Sequence, residues 1–401
     1  MKIVFFTFYY PPDLSAGSFR SVALAQALSK KIDSNDELHV ITTHPNRYAS
    51  YKAAANNIEL DGKITIHRIL VPGHRSGMLS QTRAFGVYAI SAYRLCKQLN
   101  PSFLIGTTSR LMTGLLTGVS ARKIGCRYFI DLRDIFSESI SELFSRKNQI
   151  LGGVSKTVFS FLERKLFNNA AGVNVVSEGF YEYFQKEGID TSNWSFFPNG
   201  VDQEFTNLVT IKDVASKKVK TILYAGNIGS GQGLDFVLPG IAKKLGNDYH
   251  LLVIGDGGKR VILEEKINHK NIDNVKVLPP VSRPKLIDYY KNADILFLHL
   301  NNIPAFRRVL PSKIFEYAAL GKPIVAGLSG YSAKFMKDNL PYANIFNSGD
   351  IEGACLSILK VSTLSVPDNV IVDFIQHYSR ESIMDKMAEH LLNIMTTDNS
   401  K

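Results

Sequence analysis

Short runs that are apolar at nearly every position alternate with longer segments whose apolar residues recur at helical spacing. This alternation passes through the chain twice. In the first half the runs are residues 2–8, 37–43, 102–107, 128–132 and 172–176; in the second they are 221–225, 250–254, 275–278, 294–298 and 324–326. Such runs have no polar face, so each is predicted to be a strand buried on both sides. Strands of that kind, each followed by a helix, need a parallel sheet covered on both faces. Residues 63–70 alternate instead and are predicted to form an edge strand. Residues 206–220 are polar and basic with little periodicity and read as an interdomain linker, with a hinge near Asn199. The predicted fold is α/β, with two doubly wound, Rossmann-like domains and a last helix over about 374–395.

One stretch concentrates the chemistry: Phe306-Arg-Arg-Val-Leu-Pro-Ser-Lys-Ile-Phe-Glu-Tyr-Ala-Ala-Leu-Gly-Lys-Pro-Ile-Val325. Pro311 and Ser312 are helix start signals, Gly321 a stop, and Pro323 forbids continuation. Ser312, Lys313 and Glu316 then share the first turn and a half. Free amides and the positive dipole end suit an anion, and Lys313 adds a full charge. Glu316 is placed to accept hydrogen bonds from a neutral polyol such as a ribose. Diphosphate plus ribose points to a nucleotide-sugar. A lysine and a glutamate three apart also occur as decoration of a solvated face.

Glycine-rich loops follow strands at residues 226–233 and 255–258, and a small-residue loop at 9–18 precedes a helix. Loops at the carboxyl ends of parallel strands are where such sheets bind ligands. None reads G-x-G-x-x-G, so no dinucleotide is implied. Asp131-Leu-Arg-Asp134 closes a strand, and two aspartates with an arginine there are costly unless they pair or serve polar work. Residues 143–167 mix basic and apolar side chains. They either lie on an anionic leaflet or pack one face into the core.

Net charge is +11 and the pI near 9.3, which fits nucleic acid, an anionic membrane or a phosphorylated substrate. No basic arm and no zinc or RNA-binding signature is present, so nucleic acid is not expected. The three cysteines have neither metal nor disulfide spacing, which fits a reducing compartment. The apolar start is short and followed by Pro11-Pro12-Asp13, and no apolar run has transmembrane length. The expected location is the cytoplasm, with membrane contact peripheral.

Taken together, the motifs resemble those of retaining glycosyltransferases of the GT-B fold, in the large family-four group. Four matches in the family's order carry this: Phe-Tyr-Tyr-Pro-Pro-Asp-Leu-Ser-Ala-Gly-Ser at 8–18, Pro198-Asn-Gly-Val-Asp202, Gly255-Asp-Gly257 and the Pro-Ser-Lys-Ile-Phe-Glu-Tyr-Ala-Ala-Leu-Gly-Lys-Pro stretch. The opening loop and Asp-Leu-Arg-Asp-x-x-x-Glu-Ser at 131–139 look closest to WbuB-like transferases of O-antigen and capsule pathways. Those are proposed to move N-acetyl-L-fucosamine or a similar sugar from a UDP donor.

The resemblance implies an acceptor-side domain at 1–200, a nucleotide-sugar domain at 201–373 facing it across a cleft, and a helix at 374–401 returning to the first. It implies that Glu316 holds the donor ribose and that Ser312 and Lys313 lie near the diphosphate. Gly226, Asn227 and Gly229 belong to the loop that approaches the phosphates, and Gly255 passes close to the nucleotide. Residues 281–283, from Val281 to Arg283, read the base, and Gly17 lies near phosphates and acceptor. Asp131, Arg133 and Asp134 stand where many members have a histidine beside the reacting sugar. The chain departs from the pattern where Arg308 replaces the first glutamate of E-x7-E, and where Asn227 and Gln232 replace an arginine and a lysine. The diphosphate charge then falls to Lys313 and Arg308, with Arg307 and Arg283 in reserve. The implied reaction is metal-free transfer from a UDP-sugar to a lipid-diphosphate-linked acceptor at the inner membrane face, with Asp131 or Asp134 sheltering the sugar cation. A UDP-sugar 2-epimerase of the same fold and a non-catalytic binder are the alternatives.

Overall fold

The computed structural model describes residues 1–13, 16–46, 54–72, 78–108, 111–135, 149–206 and 218–397. The chain divides into one unit of Met1–Asn199 with Arg380–Lys401, and a second of Gly200–Ser379.

The first unit holds β1 (Lys2–Phe6), β2 (Glu37–Thr43), β3 (Ile58–Asp61), β4 (Ile64–Ile69), β5 (Phe103–Thr107), β6 (Arg127–Leu132), β7 (Gly172–Val175) and β8 (Trp194–Phe196). They form one sheet in the order β3-β4-β2-β1-β5-β6-β7-β8. All neighbours run parallel except β3 and β4. The alternating run at 63–70 is therefore not the edge. β3 is, joined to β4 by a hairpin in which Asp61 pairs with Ile64 and Gly62 has φ 60°. Asp-Gly is a hairpin signal, and reading the run before it would have found the strand.

The expected last helix is two helices. Asp368–Tyr378 ends at Ser379, whose extended backbone (φ −61°, ψ 137°) breaks the run, and Arg380–Thr396 follows. The second of these packs along the helix Ala16–Lys31, where Lys31 pairs with both Glu389 (2.9 Å) and Asp385 (3.2 Å). Arg380 donates to the carbonyl of Asn199 at 3.0 Å. Among the described residues no helix is long and apolar enough to cross a membrane.

The second unit holds β9 (Lys220–Asn227), β10 (Tyr249–Asp256), β11 (Val275–Leu278), β12 (Ile295–His299), β13 (Ile324–Gly327) and β14 (Ala343–Phe346). They form a fully parallel sheet in the order β11-β10-β9-β12-β13-β14. Chain order runs outward from β9 to β11, then restarts on the other side at β12. The gap beyond the carboxyl ends of β9 and β12 is thus a topological switch point, where open α/β sheets take their ligands. Beneath it Ile222, Leu251, Val253 and Phe297 share one core with Leu238 and Ile241 of the helix Leu234–Leu245.

At the carboxyl ends of β9 and β10 two backbones almost touch. A Cβ on Gly255 (φ 154°) would lie 1.8 Å from the carbonyl oxygen of Gly226. Gly255→Ala is therefore expected to cost at least about 2 kcal/mol of unfolding free energy. Gly258→Ala, where a Cβ meets nothing within 4 Å, should be near neutral. Paired denaturation curves of the two variants check this.

Candidate active site

The switch point of the second unit is built from three loops. The first follows β9. Its Gly226 has φ 153°, and a Cβ there would lie 2.7 Å from Cε and 3.0 Å from Nζ of Lys313. Lys313 opens the helix Lys313–Ala319, and its ammonium also lies over the ring of Tyr317, 5.9 Å from the centroid. Tyr317 is fully buried, and its hydroxyl accepts from the amide of Ala225 at 3.2 Å. That bond ties the helix to the end of β9 and so brings the lysine onto the glycine. Lys313 is half-buried and, among the described residues, has no carboxylate or carbonyl partner.

Asn227 and Gln232 bond each other across the loop at 2.9 Å, and the Gln232 side chain also accepts from the amide of Gly229 at 3.2 Å. The two residues that replace the expected cations thus fix the loop's shape. The loop is stapled from outside too. Asn301 donates from its side chain to the carbonyl of Ser230 (2.6 Å), and Phe306 covers Gly231, where a Cβ would meet its ring at 2.5 Å. His299, fully buried at the end of β12, bonds the carbonyl of Gln232 through Nδ1 (2.7 Å) and accepts at Nε2 from the amide of Gly349 (2.9 Å). Those partners fix the neutral tautomer with the proton on Nδ1, and burial holds its pKa below histidine's ordinary value.

Glu316 is half-buried and accepts from the hydroxyl of Tyr290 at 3.4 Å. Burial, then the Glu316 charge, raises the phenol of Tyr290 far above its usual range, so it stays a donor. Val281, half-buried, lies in the segment between β11 and the helix Arg283–Asn292. Arg308 is half-buried and already interacts with another group of the protein.

Two expectations for this unit need correction. Ser312 has helical backbone (φ −57°, ψ −26°) in place of the extended conformation a capping residue needs, and its hydroxyl makes no capping bond. The helix behind it has seven residues. A dipole that short adds little, and Lys313 carries the charge. Arg283 is not in reserve for phosphate. It pairs with Asp202 (2.6 Å) and Glu204, and lies over the ring of Phe205, so its charge is already met.

The first unit holds the remaining expected residues. Gly17 is buried in the first turn of the helix Ala16–Lys31. Asp134 is exposed just beyond β6. Asp131, expected to shelter a sugar cation, is fully buried with both oxygens used. It takes Arg20 in a two-pronged pair (2.8 and 2.9 Å) and the side-chain amide of Asn174 (2.7 Å). Burial pulls its carboxyl upward, but Arg20 outweighs that and leaves it below the usual range. The same Arg20 donates to the carbonyls of Pro198 and Phe197. Asp131 therefore braces the chain after β8 and, fully buried, is shut away from a substrate. Arg20, Tyr290, Tyr317 and His299 escaped the sequence reading; a buried arginine inside a predicted helix was the one available signal.

The family model described as "Glycosyl transferases group 1" matches residues 210–364, and "Glycosyl transferase 4-like domain" matches 23–200. Over 351 residues the chain is 24% identical to the Escherichia coli (strain K12) protein described as a colanic acid biosynthesis glycosyl transferase, WcaI. That match takes in 83% of this chain and 84% of WcaI. Among solved structures, sucrose-phosphate synthase from Thermosynechococcus elongatus aligns with a TM-score of 0.72 at 12% identity, covering 99% and 100% of the two chains. Anabaena HepE in complex with UDP-glucose aligns with a TM-score of 0.69 at 14% identity, covering 98% and 100%.

Removing one partner of the buried pair strands a charge. Arg20→Met should destabilise the protein by about 3–5 kcal/mol, and adding Asp131→Leu should recover much of the loss. Denaturant unfolding of the single and double variants reads this directly. His299 has a folded pKa below its unfolded one, so its contribution is present above the unfolded value, about 6.5, and is lost as pH falls through the folded value. Wild type should lose thermal stability relative to His299→Asn when acidified from about pH 7.5 to about pH 5. Parallel melting curves test the difference.

Proposed function

We propose, for a chain that belongs to the group 1 glycosyl transferases and has the GT-B fold, that the donor is a UDP-sugar and the transfer proceeds with retention. One observation carries this: the half-buried ammonium of Lys313, with no carboxylate or carbonyl partner among the described residues, lies against Gly226 at the switch point of the second unit. A charge left unpaired in partial burial is costly unless a ligand completes it. The missing side chain at Gly226 is what lets the lysine come this close to the end of β9. A diphosphate would complete the lysine's charge. The fold shared with HepE, solved with UDP-glucose, supports a nucleotide-sugar.

In this reading the departing diphosphate gains charge as the C1–O bond breaks. Lys313 stabilises that charge more in the transition state than before it. Arg308 precedes it by five residues in the sequence and is the second cation assigned to the phosphates. Glu316, oriented by Tyr290, accepts from the ribose hydroxyls. Gly229 and Asn227 shape the phosphate loop, and Gly255 with Val281 borders the base. The acceptor attacks from the face the leaving group vacates, and a phosphate oxygen takes its proton. Asp134, in place of the braced Asp131, is the first-unit carboxylate assigned to shelter the sugar cation. No metal enters this scheme.

The donor sugar is taken as N-acetyl-L-fucosamine or a close relative, and the acceptor as a lipid-diphosphate-linked saccharide in O-antigen or capsule synthesis. The likeness of residues 8–18 and 131–139 to WbuB-like transferases supports the donor. The colanic acid description of WcaI supports a surface polysaccharide. The net charge of +11 favours a cytoplasmic enzyme resting on the inner membrane face.

Lys313→Ala should lower kcat by about 10²–10³-fold while leaving the circular dichroism spectrum unchanged. The assay follows UDP release from a panel of UDP-sugars with and without a lipid-linked acceptor. Acceptor-dependent release abolished by the variant is the expected result. Wild-type turnover in the variant removes Lys313 from the mechanism, and acceptor-independent isomerisation of the sugar makes the protein an epimerase.

A further inference from the structure

The carboxyl edge of the first unit's sheet holds a cation that the reading above does not use. Arg133 follows β6 by one residue. Its main-chain amide donates to the hydroxyl of Thr108 at 2.9 Å, and the amide of Thr108 donates to the carbonyl of Asp131 at 3.0 Å. These bonds lock the ends of β5 and β6 together and fix where the Arg133 side chain starts. Its Nε is shielded from solvent and has no hydrogen-bond partner, and among the described residues its guanidinium forms no ion pair. Two further arginines lie within electrostatic range, Arg20 and Arg380. Both have partners: Arg20 has Asp131 and the carbonyls of Phe197 and Pro198, and Arg380 has the carbonyl of Asn199.

Two buried guanidiniums and a half-buried one within electrostatic range repel one another. Burial, then Arg20, drives the pKa of Arg133 down to about 10, although Asp131 and Asp134 act against this. A second polar group nearby is also unmatched. Thr107, whose register partner across β5 and β6 is Asp131, has a buried hydroxyl without a hydrogen-bond partner. Buried unsatisfied donors in native proteins call for an explanation, and here two occur on adjacent strands at the ligand-binding edge. A planar guanidinium and a hydroxyl, both unmatched at neighbouring strand ends, each suit an oxyanion with several acceptor oxygens.

We infer that Arg133, with Thr107, forms an anion subsite on the first unit that recognises a negatively charged group of the acceptor. This rests on the transferase reading, and it names the acceptor's chemistry as anionic. The shared chemistry is an oxyanion, supplied either by a diphosphate ester or by a sugar carboxylate.

The test is calorimetric titration of the full-length protein, saturated with UDP, with inorganic pyrophosphate in one arm and glucuronate in the other. Wild type should bind in at least one arm, which identifies the source. Arg133→Gln should weaken that binding at least about tenfold, Arg133→Lys should recover part of it, and Thr107→Val should weaken it less. Thr107→Val and Arg133→Lys keep the question answerable if Arg133→Gln does not fold. Lys313→Ala should lose affinity for UDP yet, titrated without it, keep the anion binding that Arg133 supports. No binding in either arm, or binding indifferent to the Arg133 and Thr107 variants, overturns the subsite. Failure of UDP itself to bind wild type counts against the donor reading instead. With an active acceptor, Arg133→Lys should raise the acceptor KM by more than it lowers kcat.

Discussion

The approach of Gly226 to Gly255 is the constraint on which the second unit's ligand edge depends. Neighbouring parallel strands bring their carboxyl ends level, as Gly255 and Gly226 are in register on β10 and β9. Side chains there would force the loops apart. With none, the carbonyl of Gly226 lies where a Cβ on Gly255 would sit, and Ile228 then bonds the carbonyl of Asp256 at 2.8 Å. The loop after β9 is also held to the loop after β10 by the amide of Lys259, which donates to the carbonyl of Ile228 at 2.9 Å. Lys313, carried in by a helix whose Tyr317 is tied to Ala225, meets bare backbone there. The close approach of the two loops and the position of the lysine therefore share one origin: absent side chains at adjacent strand ends.

What the sequence revealed and what it withheld divide along a physical line. Apolar runs and glycine loops are local, and from them the alternation, both parallel sheets and the neighbourhood of Lys313 were legible. The pairing of Arg20 with Asp131 spans 111 residues. No local signal distinguishes an aspartate held by a distant arginine from one aimed at a substrate, so Asp131 read as chemistry when it is bracing. Arg283 misled in the same manner, since Asp202 and Glu204 come from 81 and 79 residues away. The split in the last helix was invisible for another reason. Serine is tolerated inside helices, and only the extended backbone at Ser379 shows the break.

The two units handle charge differently. In the second, carboxylates neutralise Arg283, while Lys313 is left without one. In the first, Arg20 and Arg380 spend their donors on the main-chain carbonyls of residues 197–199 and on Asp131. Those carbonyls end the first unit's main segment, so two buried arginines fasten the point at which the chain leaves. Arg380 does this from the point at which it comes back.

That return has a consequence for how the protein is made. A ribosome delivers residues 1–199 long before Arg380–Thr396, yet the helix Ala16–Lys31 needs that late segment to cover it and to meet Lys31. The second unit, Gly200–Ser379, is complete in one uninterrupted stretch and can close as it emerges. The half that is synthesised first is therefore finished last, with an apolar helix face uncovered throughout the interval. During biosynthesis this half, and not its later-made neighbour, waits on the segment made last.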